Sequence, residues 1–150
     1  MARTLTILFL LLAMGSVAQK EDSLAIVKQI NSLFDGMRAG DSSKVRSVFN
    51  GDVRLYTSIV NKKGEAELRV GSLETFISGV GIPHPNVWDE KISNLVIQID
   101  DNLAQAWMDY KFYLGDKFIH CGVNAIQLTK VDGIWKMIHL IDTRRKEGCQ

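Results

Sequence analysis

Four stretches rich in branched and aromatic residues follow one another near the end of the chain, over 88–99, 104–114, 118–129 and 134–141. Gaps of three or four residues separate them, carrying the turn signals Asp101-Asn102, Gly115-Asp116 and Asp132-Gly133. Turns this short join antiparallel neighbours, because a parallel crossover needs a dozen residues or more. This half of the chain is therefore expected to form an antiparallel meander of strands.

The first half reads differently. Leu24, Val27, Ile30, Phe34 and Met37 recur at steps of three and four, the spacing of an amphipathic helix. Gly40 ends it, and Asp41 caps a short second helix with Val45, Val48 and Phe49 inward. A strand over 53–59 and a polar loop or edge strand over 61–69 come next. Ser72 then caps a third helix through Leu73, Phe76 and Ile77, closed by the Gly79 and Pro83 region. Helices followed by hairpin-linked strands define an α+β class, with the helices on one face of the sheet.

The turns also sort side chains by face. A two-residue Asp132-Gly133 turn sets Val131 opposite Ile134, hence Ala125 opposite Leu140 and Val123 opposite Asp142. A two-residue Gly115-Asp116 turn sets Phe112 opposite Ile119 and Tyr110 opposite Cys121. Alternation then gives one face Ala106, Met108, Tyr110, Phe112, Cys121, Val123, Ala125, Ile138, Leu140 and Asp142. The other receives Trp107, Asp109, His120, Asn124, Ile126, Trp135, Met137, His139 and Ile141.

The beginning of the chain has the three parts of a secretory signal. Arg3 is the positive region, 5–14 is an almost unbroken apolar run, and Ser16-Val17-Ala18 places small residues where a signal peptidase reads. The run is about half the length that spans a bilayer. Cleavage before Gln19 is expected, leaving one domain, 19–150, in a secreted or periplasmic location with no membrane attachment. Arg3 is the only charged residue of the segment to be removed. The 18 basic residues of the chain thus fall level with its 17 acidic ones after cleavage. A balanced surface of this kind is unsuited to nucleic acid, whose phosphates demand a basic one.

The run Ala39-Gly40-Asp41-Ser42-Ser43-Lys44-Val45 with Val48-Phe49, and the turn and strand Asp132-Gly133-Ile134-Trp135-Lys136-Met137, resemble two signatures of one superfamily. With the order of elements, they make the chain similar to the nuclear transport factor 2-like superfamily. More narrowly, His120-Cys121-Gly122 and Asp142-Thr143-Arg144-Arg145 with Cys149 resemble an exported bacterial SnoaL-like or lumazine-binding-like branch. The resemblance implies a cone of helices on a curved sheet, an internal pocket on the concave face, and an outer face that often forms a dimer. The isomerases, dehydratases and cyclases of that fold place a carboxylic acid in stretches where this chain has Val123 and Ala125, so their mechanism does not transfer.

The candidate pocket residues follow from the face assignment. Asp142, Tyr110 and Arg144 are its polar groups, and Met108, Phe112, Val123 and Leu140 its apolar wall. A carboxylate in an apolar cone can serve as general base, with a tyrosine hydroxyl polarising a carbonyl and His120 assisting. The competing reading pairs Asp142 with Arg144 or Arg145 at the rim, and the arginines could equally hold an anion. His120 and Cys121, adjacent in a strand, point to opposite faces and cannot work together. His120 with His139 lacks a metal-type carboxylate, and His84 lies in a Pro-His-Pro loop, so neither a metal nor a cofactor is expected. Cys121 could be a pocket thiol, but a structural disulfide with Cys149 is the stronger reading, since the register sets Arg144 opposite Cys121 and Cys149 lies five residues beyond. Hydrolase, phosphate-loop and dinucleotide signatures are absent.

Three functions fit: an exported module binding a small, partly apolar ligand with a carbonyl or carboxylate; a cofactor-independent isomerase, dehydratase or cyclase; or an interaction domain with a filled cavity. The aromatic face carrying Trp107, Trp135, Met137, His139 and Asn124 points to a homodimer formed through the sheets.

Overall fold

The computed structural model describes the backbone of residues 2–149 and the side chains of residues 19–149. The side chains of the expected signal segment, 1–18, and the whole of Met1 and Gln150 lie outside the described residues. The elements are α1 (Ala2–Ala39), α2 (Ser42–Ser47), β1 (Arg54–Val60), β2 (Ala66–Ser72), α3 (Leu73–Gly81), β3 (Trp88–Asp100), β4 (Leu103–Leu114), β5 (Lys117–Val131) and β6 (Ile134–Thr143). The six strands form one sheet in the order β2-β1-β6-β5-β4-β3. All neighbours are antiparallel except β1 and β6, which run parallel. No helix among the described residues is long and apolar enough to cross a membrane.

Local chemistry explains the helix ends. The Asp41 carboxylate accepts from the Lys44 N–H at 2.9 Å, and the Ser72 hydroxyl accepts from the Thr75 N–H at 3.1 Å, each satisfying a free donor of a first turn. Residues 61–69 resolve into a turn held by Asn61 and an edge strand, β2. The buried stripe of α1 is Ile26, Ile30, Leu33, Phe34 and Met37. Leu24, expected to belong to it, is 62% exposed: two residues before Ile26 is nearly the opposite side of a helix. At the other side of the core, the Asp22 carboxylate accepts from Trp135 Nε1 at 2.9 Å and pairs with Lys130 at 2.5 Å, fastening α1 to β5 and β6.

The hairpins begin as the sequence expects. Val131 faces Ile134 across a turn in which Asp132 and Gly133 both take positive φ, and Leu114 faces Lys117 across Gly115-Asp116. Each then gains an extra residue. Between Tyr113↔Phe118 and Phe112↔His120 the residue Ile119 is unpaired; between Leu128↔Met137 and Gln127↔His139 it is Ile138. These β-bulges reverse the alternation beyond them. Tyr110 therefore faces Gly122 rather than Cys121, and Leu140 faces Ile126 rather than Ala125.

The corrections are specific. His120, Asn124, Ile126, Trp135 and Met137 belong to the helix-facing side, and Trp135 and Met137 are core residues. Cys121, Val123 and Ala125 turn to the outer side, and Ile138 is displaced to the surface. Trp107 and His139 remain on the outer face, where Trp107 is 57% exposed.

Cys121 and Cys149 form a disulfide, and the backbone of Cys121 pairs with Arg145 through two 2.9 Å hydrogen bonds. The partner is Arg145, not Arg144, again because of the Ile138 bulge. Gly122 is the tightest point of the sheet: a Cβ there would stand 1.8 Å from the Thr143 carbonyl oxygen and 2.8 Å from Tyr110 Cε1. Gly122→Ala is expected to cost about 3 kcal/mol or more, the upper part of the overpacking range, because backbone cannot yield as a side chain can. Gly71→Ala, whose added carbon would meet Leu55 at an ordinary 3.7 Å, serves as control. Equal urea midpoints for the two variants would contradict this account of the sheet.

Candidate functional site

Curvature of the sheet and the helices above it leave a cavity of about 440 Å³. Most of its wall is apolar. The buried side of α1 brings Leu33, Phe34 and Met37, α3 brings Phe76, and β1 brings Leu55. From the sheet come Trp88, Phe112, Leu114 and Leu140. Trp88 meets Phe112 edge to face at 6.4 Å, a favourable aromatic geometry, and Phe112 stacks on His120 at 5.1 Å.

One end of the cavity is polar, and its members come from four strands. Glu90, Phe112 and His120 are register partners across β3, β4 and β5, so their side chains share one row. Asn124 and Asp142 are partners across β5 and β6, and Arg144 follows two residues later on the same side. Asn124 donates to Glu90 Oε1 at 2.7 Å, reaching over the sheet between them.

Tyr110 forms the floor. Its hydroxyl lies 2.8 Å from the Thr143 carbonyl, 3.0 Å from Asp142 Oδ2 and 3.2 Å from His120 Nδ1. The hydroxyl has one proton, and both oxygens only accept. His120 is then the donor to the hydroxyl oxygen, which sets the Nδ1–H tautomer and leaves Nε2 as the unprotonated nitrogen. Burial holds the His120 pKa below its ordinary value, aided by the charges of Arg144 and Lys146 and opposed by Asp142. Burial also raises the Tyr110 pKa, with the charges of Asp142 and Glu90 adding to it, so the phenol stays protonated.

The two carboxylates differ in their partners. Asp142, 7% exposed, accepts from Arg144 Nε at 2.7 Å as well as from Tyr110. Burial works against the charge on Arg144, but the charge and hydrogen bond of Asp142 outweigh it and raise its pKa. Glu90 has no ion-pair partner among the described residues. Burial first, then the negative charge of Asp142, push its pKa up to about 7, against the opposing Asn124 hydrogen bond and Arg144 charge.

Of the expected pocket residues, Phe112, Leu140, Asp142, Arg144 and His120 line the cavity; Tyr110 does not, lying buried beneath its polar end with its hydroxyl bonded to Asp142 and His120. Met108 is fully buried beneath it and does not line it. Val123 does not line it either, having been turned to the outer face by the Ile119 bulge. Cys121 is in the disulfide and is no pocket thiol. Glu90 and Trp88 escaped the sequence reading, and Asn124 was expected on the outer face. Glu90 interrupts the alternation Trp88, Glu90, Ile92, and a charged residue in an apolar row was the available signal.

By sequence the chain matches no family description and no curated protein. Solved structures resemble it over most of its length. A nuclear transport factor 2-like protein of unknown function from Shewanella baltica superposes with a TM-score of 0.66 at 20% identity, covering 85% of this chain and 96% of that one. One from Novosphingobium aromaticivorans, described as having a cystatin-like fold, gives 0.70 at 10% identity, with 89% and 88% covered. A third, from Cytophaga hutchinsonii, gives 0.62 at 16% identity, with 80% and 95% covered. The chain has the nuclear transport factor 2-like fold, an α+β cone of N-terminal helices on a curved, open six-stranded sheet.

Glu90 links this site to stability. A carboxyl whose folded pKa lies near 7, against 4.5 when unfolded, binds its proton more tightly in the folded state. Its contribution is full below about pH 4.5 and is lost as pH rises to 7. Discounted for the part-buried position of the residue, the loss is about 2 kcal/mol. Glu90→Gln should therefore be more stable relative to wild type at pH 8 than at pH 4.5 by about that amount. Urea unfolding with the disulfide intact measures it, and a difference independent of pH would refute the assigned pKa.

Proposed function

We propose that the cone is a receptor for a small, partly apolar molecule, bound in the chamber between α1, α3 and the concave sheet. The observation that carries this reading is the cavity of about 440 Å³, apolar over most of its wall with polar groups gathered at one end. Small-molecule sites have this size and this distribution of polarity. A chamber of that volume also speaks against an interaction domain with a filled cavity. The local likeness to the SnoaL-like or lumazine-binding-like branch belongs to the same proposal, resting on His120-Cys121-Gly122 and the Asp142–Arg145 run.

A second reading, a cofactor-independent isomerase, dehydratase or cyclase, is favoured by one observation. Glu90 stands near neutrality beside an apolar cavity, as a general base or acid requires, with the unprotonated Nε2 of His120 as a second proton acceptor. In this reading Asp142, held by Arg144, positions Tyr110 rather than moving a proton itself. Phenethyl alcohol is a neutral probe for the chamber. It should raise the melting temperature of wild type by a few degrees at millimolar concentration, and Leu140→Trp, which fills the chamber, should erase that shift. An identical shift in both proteins would place the probe elsewhere and remove the receptor reading. Retained ligand affinity with lost turnover in Tyr110→Phe and Glu90→Gln would favour the enzyme instead.

We also propose that the protein is exported after cleavage before Gln19 and pairs with a second copy through its outer sheet face. What supports pairing is a continuous apolar row on that face: Val96, Trp107, Ala125, Ile141, Tyr56 and Val70, one residue from each strand, are successive register partners. Protein recovered from outside the cytoplasm should have the mass of a chain beginning at Gln19 and sediment as a dimer that Trp107→Glu dissociates. Retention of Met1 would end the export proposal, and a wild-type monomer would end the pairing.

A further inference from the structure

The polar end of the chamber contains an asymmetry of charge. Asp142 and Arg144 neutralise each other at 2.7 Å. His120 is held neutral by burial and by the neighbouring cations. Glu90 alone is left without a countercharge. Its Oε1 accepts from Asn124, and its Oε2 accepts no bond from the described residues. Since no buried side-chain oxygen among them lacks a partner, Oε2 is open to the chamber rather than sealed in protein.

The charged and titratable groups facing Glu90 are Tyr110 from β4, His120 from β5, Asp142 from β6 and Arg144 just beyond it. From α1 the chamber receives only Leu33, Phe34 and Met37, because Arg38 turns outward to Asp35 and Asp89. Phe34, Phe76, Trp88 and Phe112 offer aromatic rings in the same chamber. Ring faces attract cations, and a desolvated site strengthens that attraction.

Resting on the reading of the chamber as a small-molecule site, we propose that it selects an organic monocation, an alkyl or aralkyl ammonium whose charged head meets Glu90 Oε2 while its apolar body lies among Phe34, Phe76, Trp88 and Phe112. A carboxylate ligand is disfavoured. Arg144 keeps its Nη donors, but its charge is already matched by Asp142, and a carboxylate drawn to them would lie beside Asp142 and an ionised Glu90. The ligand class differs here from the carbonyl or carboxylate expected from sequence, and the reason is Glu90, which that expectation did not include.

Three probes of one shape decide the matter: phenethylamine, phenethyl alcohol and hydrocinnamate, cationic, neutral and anionic respectively, titrated calorimetrically into the intact disulfide-bonded protein. At pH 8 the amine should bind at least tenfold more tightly than the alcohol, and hydrocinnamate more weakly than either. Because Glu90 must ionise to hold the amine, amine affinity should fall about tenfold per pH unit below 7 while alcohol affinity stays level. Glu90→Gln should abolish the preference for amine over alcohol. If the alcohol binds and the amine binds no better, or hydrocinnamate binds best, the selection for cations is wrong and the chamber reading survives. If none of the three binds, the chamber reading fails and this inference with it.

Discussion

Two unpaired residues, Ile119 and Ile138, determine which side chains the chamber contains. Each adds one residue to a strand whose neighbours are otherwise in step, and each reverses the facing of the residues beyond it. Without the first, Cys121 and Val123 would point toward the helices and His120 and Asn124 away. The polar end would then lose two of its members. With it, His120 reaches Tyr110 and Asn124 reaches Glu90. Bulges also strengthen the local twist, and a sheet bent at these two positions and at a third in β3, between Ser93 and Val96, encloses space that a regular one would not.

This accounts for how far the sequence could be read. Turn positions, helix caps and element order were legible because Gly, Asp and Ser at Gly40, Asp41, Ser72 and Asp132-Gly133 have a local physical reason to be there. A bulge formed at isoleucine has none: Ile119 and Ile138 are ordinary strand residues, with no Gly or Pro to mark them. Register counted outward from the turns was therefore right at Leu114↔Lys117 and Val131↔Ile134 and wrong a few residues later. Leu140 and Asp142 were nevertheless placed on the correct face, because two one-residue errors in succession cancel. Val123, lying between the two, received only one of them. Glu90 was missed for another reason: its strand was never set in register against its neighbour, so its alignment with Phe112 and His120 went unread.

The two carboxylates illustrate how environment divides identical chemistry. Asp142 accepts a guanidinium hydrogen bond and a phenol, and its charge is satisfied within the protein. Glu90 has one amide donor, and burial without a paired cation makes ionisation costly. Arg144 is engaged through Nε by the group that fastens the chamber floor, and makes no ion pair with Glu90. What remains at Glu90 is capacity for an external partner, whether a proton or a ligand charge. Removing Asp142 would be expected to disturb Tyr110, and through it His120, whereas Glu90 can change without breaking that floor.

The disulfide belongs to the same construction although it lies on the opposite face. β6 formally ends at Thr143, yet one further bridge, Cys121 with Arg145, prolongs the pairing, and Cys149 then returns to Cys121. Residues 143 and 145 are thus held against the outer side, and alternation leaves Arg144 directed inward at the rim beside Asp142. A cross-link closing a loop with a sequence separation of 28 contributes about 3–4 kcal/mol by the chain-entropy estimate. Its structural consequence is more local. Gly122, next to Cys121, admits the Thr143 carbonyl and the Tyr110 ring into space that any side chain would occupy. The His120-Cys121-Gly122 tripeptide therefore does three separate things on two faces of one strand: a ring for the chamber, a tether for the tail, and a gap through which the tail reaches the tyrosine.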